Sequence, residues 1–262
     1  MSVRIAWERR GRGDPVVLIH GLGYARWGWE PVVDALAEEF AVVLLDNRGI
    51  GASEAPPGPY SAAEMAQDVL GVLDEAELDR VHVVGTSLGG MIAQELALAV
   101  PDRLGGLVLA GTTPGGSPAF PFPAQTVALL ARAASLEPEV ALRRFVENAL
   151  APATVATQVE LVERIMQHRL ATEQAPAAWA AQAAAGASFD IFARLSGISS
   201  PTLVLHGSED RVVDPRNADL LAEHIPHARA EIVPGTGHLL FWEAPDRFVE
   251  LVGPFLREHP LG

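Results

Sequence analysis

The chain has 262 residues, of which 49% are hydrophobic and 20% are charged, so it is long enough for one large domain or two smaller ones. It contains no cysteine, and all 19 positions counted as Lys or Arg are arginine, which excludes thiol nucleophiles, disulfides, lysine Schiff bases and a phosphate-loop lysine. A formal net charge of -14 argues against nucleic acid and anionic membranes as partners.

Residues 1–13 lack the apolar stretch of a signal peptide. No uninterrupted apolar run reaches the roughly 18 residues that a transmembrane helix needs. We therefore expect a cytoplasmic protein that binds neither membranes nor nucleic acid.

Short β-branched runs alternate with helical patterns along most of the chain. The runs predict strands apolar on both faces, at residues 16–19, 41–45, 81–84, 106–109, 202–205 and 230–233. The helical patterns lie near residues 29–39, 62–77, 88–99 and 245–257. This alternation predicts an α/β fold with a doubly wound, mostly parallel sheet, whose ligands bind beyond the carboxyl ends of the strands.

The alternation stops between residues 114 and 195. This stretch is rich in alanine, leucine and glutamate, is punctuated by prolines and shows no strand pattern. It predicts several short helices inserted between two strands of the sheet. We therefore expect a helical cap at 114–195 and a catalytic core formed by 1–113 and 196–262.

The strongest local signal is the segment from Gly85 to Gly90, which follows a predicted buried strand and opens a predicted helix. A serine at such a strand-to-helix turn has strained backbone geometry and an exposed hydroxyl, and flanking glycines let the chain double back. The pattern predicts that Ser87 is a nucleophile.

A serine nucleophile needs a general base and an acid that orients the base. His238 lies in a glycine-containing loop after the last predicted strand, and Asp210 follows the strand at 202–205. Asp214 is the alternative acid, with a less favourable offset from the strand end. The predicted catalytic set is Ser87, Asp210 and His238.

The oxyanion that forms during acyl transfer needs two backbone N–H donors. One is expected from Leu88, directly after the nucleophile. The other is expected from Leu22, in the loop after the strand at 16–19, with His20 as a scaffold residue.

Taken together, the chain resembles the α/β-hydrolase superfamily, and within it the branch of small esterases, enol-lactonases and proline iminopeptidases. The motifs that carry the resemblance are HGLG at 20–23, DNRGIGAS at 46–53, GTSLGG at 85–90, HGSEDRVVDP at 206–215 and GTGH at 235–238. The resemblance implies an α/β-hydrolase fold with a mostly parallel eight-stranded sheet, a helical cap after the sixth strand and no cofactor. It also implies a structural role for the segment from Asp46 to Arg48. Related epoxide hydrolases and haloalkane dehalogenases carry aspartate where Ser87 stands, so those activities are not expected.

We therefore predict a serine hydrolase that cleaves carboxylic esters of small, fairly apolar substrates, with a small-molecule ester or lactone as its partner and no metal. One alternative is a lactone hydrolase of the 3-oxoadipate enol-lactonase type. It would need a cation near the substrate carboxylate, for which the arginines between 114 and 195 are candidates: Arg132, Arg143, Arg144, Arg164 and Arg169. A different class of alternative is a non-catalytic ligand-binding protein on the same fold.

Overall fold

The valine- and leucine-rich runs pair side by side in one sheet, in a computed structural model that describes residues 3–133 and 135–262. The strands are β1 (Trp7–Arg10), β2 (Pro15–Ile19), β3 (Ala41–Leu45), β4 (Val81–Thr86), β5 (Leu104–Ala110), β6 (Thr202–Gly207) and β7 (Ala228–Val233). Their spatial order is β1-β3-β2-β4-β5-β6-β7. Only β1 is antiparallel to its neighbour, and all other pairs are parallel. The predicted mostly parallel α/β sheet is therefore confirmed.

The sheet has seven strands among the described residues, where the resemblance implied eight. Residues 3–6 form no strand, so β1 by itself makes the antiparallel edge beside β3. The difference lies at this edge, because the parallel strands that carry the candidate site residues are all present.

Both faces of the sheet are covered by helices. The helices are α1 (Glu30–Ala37), α2 (Ala62–Glu75), α3 (Leu88–Ala99), α4 (Ala124–Ala133), α5 (Pro138–Asn148), α6 (Pro152–Thr157), α7 (Val159–Ala171), α8 (Pro176–Ala187), α9 (Arg216–His224), α10 (Leu240–Glu243) and α11 (Pro245–Arg257). Within the described residues, no helix is both long enough and apolar enough to cross a membrane.

Successive strand residues enter opposite cores, as the two-residue period of a strand requires. Val17, for example, packs in the core that includes α2, α3 and α9, whereas Val16 packs in the core that includes α1, α10 and α11. This burial on both faces explains why the strands read as continuous apolar runs in the sequence.

Helices α4 to α8, which we call the helical insertion, lie between β5 and β6. Where this part of the chain leaves and rejoins the sheet, its two ends are adjacent. The Ile191 N–H donates to the Pro114 carbonyl oxygen over 3.0 Å, and Gly115 forms an antiparallel bridge with Asp190. The insertion follows the fifth of the seven described strands, whereas the resemblance implied the sixth of eight. The position differs by one because the edge of the sheet beside β1 has one strand fewer.

Candidate active site

Ser87 lies at the sharp turn between β4 and α3. Its backbone has φ 55° and ψ −122°, a strained positive-φ conformation that a serine rarely adopts. The turn is tight because a Cβ on Gly85 would lie 2.3 Å from the Gly89 oxygen, and one on Gly89 would lie 2.0 Å from the Ile19 oxygen. The structure therefore has the strained serine turn that the glycine spacing predicts.

Asp210 and His238 meet beyond the carboxyl ends of β6 and β7. The Nδ1 atom of His238 lies 2.7 Å from Asp210 Oδ2, and the His238 side chain is only 8% exposed. The alternative acid, Asp214, is instead paired with Arg216 over 2.6 Å. The geometry thus pairs His238 with Asp210 and not with Asp214.

The end of β5 lies between the serine and the histidine. The Ser87 N–H donates to the Ala110 carbonyl oxygen over 2.9 Å, and a Cβ on Gly111 would lie 3.2 Å from His238 Nδ1. No hydrogen bond joins the Ser87 hydroxyl to His238 or to another described residue. In substrate-free sites this contact is often loose and tightens when substrate binds.

The Asp210 carboxylate is buried and fully hydrogen bonded. Its Oδ1 accepts the N–H groups of Val212 at 2.7 Å and Val213 at 2.9 Å, and its Oδ2 lies 3.0 Å from His206 Nε2 as well as 2.7 Å from His238. Burial on its own would raise the pKa of Asp210, but the interactions with His238 and His206 together lower this pKa below its ordinary value. Asp210 is therefore ionised at neutral pH.

The loop after β2 approaches the serine closely. A Cβ on Gly21 would lie 2.8 Å from Ser87 Cβ, so this approach requires a glycine. Leu22 follows Gly21, and its N–H donates to no backbone group of the described chain. Leu88 is the first residue of α3, so its N–H precedes the first hydrogen bond of the helix. Both N–H groups expected to bind an oxyanion are thus free of backbone partners.

His20 supports this loop. Its Nδ1 accepts the N–H of Gly21 over 2.7 Å, and its side chain is buried against Tyr24. Burial, together with the nearby His238 and Arg169, lowers the pKa of His20 well below its ordinary value. His20 is therefore neutral, which agrees with the predicted scaffold role.

The segment from Asp46 to Arg48 ties neighbouring loops together. The Asp46 carboxylate accepts the N–H of Arg26 at 2.8 Å and the N–H of Ala52 at 3.0 Å. The Arg48 guanidinium pairs with Asp68 and is largely buried. These contacts agree with the structural role that the resemblance implied.

The helical insertion contacts each of the loops that carry candidate residues, including the Asp210 loop, where the Thr126 hydroxyl donates to the Arg211 carbonyl oxygen. The Leu239 N–H, next to His238, donates to the Ala149 carbonyl oxygen over 3.1 Å. A Cβ on Gly186 would lie 3.9 Å from Leu88 Cδ1, and one on Gly23 would lie 2.6 Å from Arg169 Nη1. The insertion therefore covers the carboxyl-end face of the sheet where Ser87 lies.

Glu243 links the insertion to the loop of His238, and it belongs to none of the sequence motifs described above. Its carboxylate accepts the N–H of Ala151 at 2.8 Å, the hydroxyl of Thr154 at 2.6 Å and the N–H of Gly237 at 2.6 Å. The sequence contains one indication of this role, because Glu243 is a single acid directly after the apolar run at 239–242. A carboxylate buried beside such a run needs hydrogen-bond donors.

Arg169, on α7, is the one of the five candidate arginines whose guanidinium lies beside the Leu22 loop. It stacks over the Tyr24 ring, with its Cζ atom 4.8 Å from the ring centre. It forms no ion pair with a carboxylate among the described residues, and burial lowers its pKa. Among all the residues that the structure describes, no group of three or more acidic or histidine side chains is arranged to hold a metal ion.

Comparisons with known proteins point to one family. A family model for the alpha/beta hydrolase fold matches residues 14–245. A putative carbamate hydrolase, RutD, from Azorhizobium caulinodans is 32% identical over 96% of this chain and 94% of its own. The 3-oxoadipate enol-lactonase 2 of Acinetobacter baylyi is 30% identical over 94% of this chain and 91% of its own.

A solved structure agrees with these sequence matches. A thermophilic esterase from Thermogutta terrifontis superimposes with a TM-score of 0.83 at 30% identity, covering 98% of this chain and 94% of its own. The relatives named here are hydrolases, and they match the chain over nearly its whole length. The strained serine turn, the sheet order and these matches together show that the chain belongs to the α/β-hydrolase family.

Proposed function

We propose that this protein is a serine hydrolase that cleaves carboxylic ester bonds of small, fairly apolar substrates through an acyl-enzyme. The observation that carries the proposal is the strained turn of Ser87 beside the buried Asp210–His238 pair. The esterase and the lactonase among the structural and sequence relatives support the same bond type.

In this mechanism, His238 Nε2 removes the hydroxyl proton as Ser87 Oγ attacks the ester carbonyl carbon. The Asp210 carboxylate holds the ring by its Nδ1–H and stabilises the imidazolium. The N–H groups of Leu22 and Leu88 stabilise the oxyanion, and His238 then protonates the leaving alcohol. A water molecule, with His238 again as base, releases the carboxylic acid and restores Ser87.

We further propose that 114–195 is a cap that shapes the substrate site, and that 1–113 with 196–262 is the catalytic core. The support is that helical-insertion residues contact the loops of Leu22, Leu88 and His238. In this proposal the chemistry stays with the sheet loops, and the insertion selects the substrate.

The test is hydrolysis of p-nitrophenyl esters by Ser87→Ala. We expect kcat to fall by a factor on the order of 10⁴–10⁶, as in comparable triads. The control is Ser188→Ala, an exposed serine whose hydroxyl bonds only within its helix end, and this variant should keep full activity. A fluorophosphonate probe should label the native protein and not Ser87→Ala. Ligand binding without turnover in the native protein would instead support a non-catalytic binding protein.

A second candidate function is hydrolysis of esters or lactones that carry a carboxylate. Arg169 is the observation that favours it, because its guanidinium lies beside the proposed oxyanion loop and forms no ion pair with a described carboxylate. An arginine can bind a carboxylate through two parallel hydrogen bonds. The name of the 3-oxoadipate enol-lactonase relative indicates a substrate of this kind.

The two candidates are separated by a pair of substrates of equal length, p-nitrophenyl valerate and mono-p-nitrophenyl glutarate. If the second candidate is right, Arg169→Gln should lower kcat/KM about 10²-fold for the glutarate ester and little for valerate. The control is Arg164→Gln on the same helix, whose arginine pairs at the surface with Glu30. An equal effect of Arg169→Gln on both substrates would leave the neutral-ester function standing.

A further inference from the structure

A second histidine touches the carboxylate of the proposed catalytic acid. His206 lies at the end of β6 and its side chain is fully buried. Its Nε2 is 3.0 Å from Asp210 Oδ2 and 3.2 Å from the Val213 carbonyl oxygen. Asp210 Oδ2 is therefore shared by two imidazole rings, of which only His238 belongs to the proposed mechanism.

The contacts of His206 define where its proton lies. An ionised carboxylate and a carbonyl oxygen only accept hydrogen bonds, so Nε2 must carry the hydrogen. The other nitrogen, Nδ1, is buried and has no hydrogen-bond partner among the described residues. A proton on Nδ1 would be an unsatisfied buried donor, so the neutral Nε2–H form is favoured.

We propose that His206 is a positioning residue for the Asp210–His238 pair. This inference rests on the proposed serine hydrolase function. The Nε2–H of His206 fixes Oδ2 at the point where His238 Nδ1–H meets it, while the Val212 and Val213 N–H groups fix Oδ1. The same hydrogen bond withdraws negative charge from Oδ2, which keeps the Asp210 carboxylate from holding the His238 imidazolium too strongly.

Three further ionisable side chains are close to this pair, and one of them is His20, whose pKa is lowered by burial and by the nearby His238. Asp214 pairs with Arg216, and this hydrogen-bonded pair lowers the Asp214 pKa. Burial raises the pKa of Glu243, and the charge of Asp210 acts in the same direction. His20, Asp214 and Glu243 are unchanged in each of the His206 variants, so a change in pH dependence reports the loss of the His206 hydrogen bond.

The direction of the expected pH shift follows from the positive charge of the His238 imidazolium. Removing a donor from Oδ2 concentrates negative charge beside His238, so the imidazolium is stabilised and the acid limb of the kcat/KM profile moves to higher pH. For His206→Leu we expect an upward shift on the order of half to one pH unit. We also expect the plateau to fall about tenfold, because Oδ2 is less well fixed.

His206→Gln is the conservative variant, since its amide nitrogen can take the place of Nε2 and donate to Oδ2. It should return both the acid limb and the plateau towards the native values. His82→Leu is the control, because His82 is a buried histidine near the opposite end of β4 from Ser87 and should not move the acid limb. The proposal fails if His206→Leu keeps the native acid limb, or if His206→Gln is shifted as far as His206→Leu.

A second measurement needs neither a variant nor activity. In ¹⁵N-labelled native protein, long-range ¹⁵N–¹H correlation should show His206 as the neutral Nε2–H tautomer throughout the pH range of the acid limb of kcat/KM. An Nδ1–H tautomer, or protonation of His206 together with His238, would overturn the proposal even if His206→Leu does not fold. Failure of the hydrolase function would appear separately, as full ester hydrolysis by Ser87→Ala.

Discussion

Glu243 offers a sharp test of how the helical insertion is attached to the sheet. Its carboxylate receives three hydrogen bonds, two from the insertion residues Ala151 and Thr154 and one from Gly237, next to His238. In Glu243→Gln only one oxygen remains as an acceptor. The new amide group then faces either the Gly237 N–H or the two donors of the insertion, so a donor meets a donor in every orientation.

The expected cost follows from these contacts. A hydrogen bond to a charged group contributes about 1.5–3 kcal/mol, and a donor left unsatisfied costs a similar amount. Burial raises the pKa of Glu243, which means that its charge is held at a cost that the neutral amide no longer bears. We therefore expect a net loss of about 2 kcal/mol in the free energy of unfolding.

The assay combines thermal unfolding with ester hydrolysis. At about 2–4 °C per kcal/mol for a chain of this size, Glu243→Gln should lower Tm by roughly 4–8 °C. Because Gly237 precedes His238, kcat should fall while KM changes less. The control is Glu250→Gln on α11, whose exposed pair with Arg247 is worth little. A Tm and kcat for Glu243→Gln equal to those of Glu250→Gln would refute the reasoning.

Further predictions concern a glycine and a buried histidine. In Gly21→Ala the new Cβ would lie 2.8 Å from Ser87 Cβ, so we expect kcat to fall about 10²-fold. The control Gly71→Ala, where a Cβ meets nothing within 4 Å, should keep full activity, and equal kinetics of the two variants would contradict a close oxyanion loop. Burial lowers the pKa of His82 to about 4 from an ordinary 6.5, so the unfolded chain binds the extra proton between these values and stability falls as pH drops through that window. The full loss in the free energy of unfolding is about 3 kcal/mol. Urea unfolding at several pH values should show this loss in the native protein and not in His82→Gln. An identical pH dependence in the two proteins would contradict the prediction.

The central strands and the serine turn could be predicted because local sequence determines them. Runs such as Ala41–Leu45 are apolar on both faces only where helices cover both sides of a sheet. β1 was not predicted, since Trp7–Arg10 is mostly charged and lies at an edge, where pairing comes from the backbone.

The geometry around the candidate acid was less accessible from the sequence. His206 and Asp210 are four residues apart in a turn. Only the fold shows that the imidazole rings of His206 and His238 both reach Asp210 Oδ2. Glu243 was hidden because its partners Ala151 and Thr154 lie far away along the chain. Arg169 was one of five candidate arginines, and only its contact with Tyr24 in the fold distinguishes it from the other four. Spacing predicts local turns, whereas long-range contacts depend on how the helical insertion packs.

The adjacent ends of the helical insertion have an evolutionary consequence. Pro114 and Ile191 are joined by a backbone hydrogen bond of 3.0 Å, so a turn of about 2–5 residues could connect them directly. Ser87, Asp210 and His238 all lie outside this segment. The insertion can thus be exchanged for one of another length or lining without a change in the spacing of β5 and β6. Under the proposed division into cap and core, replacement of this one contiguous segment would change the substrate preference and leave Ser87, Asp210 and His238 in place.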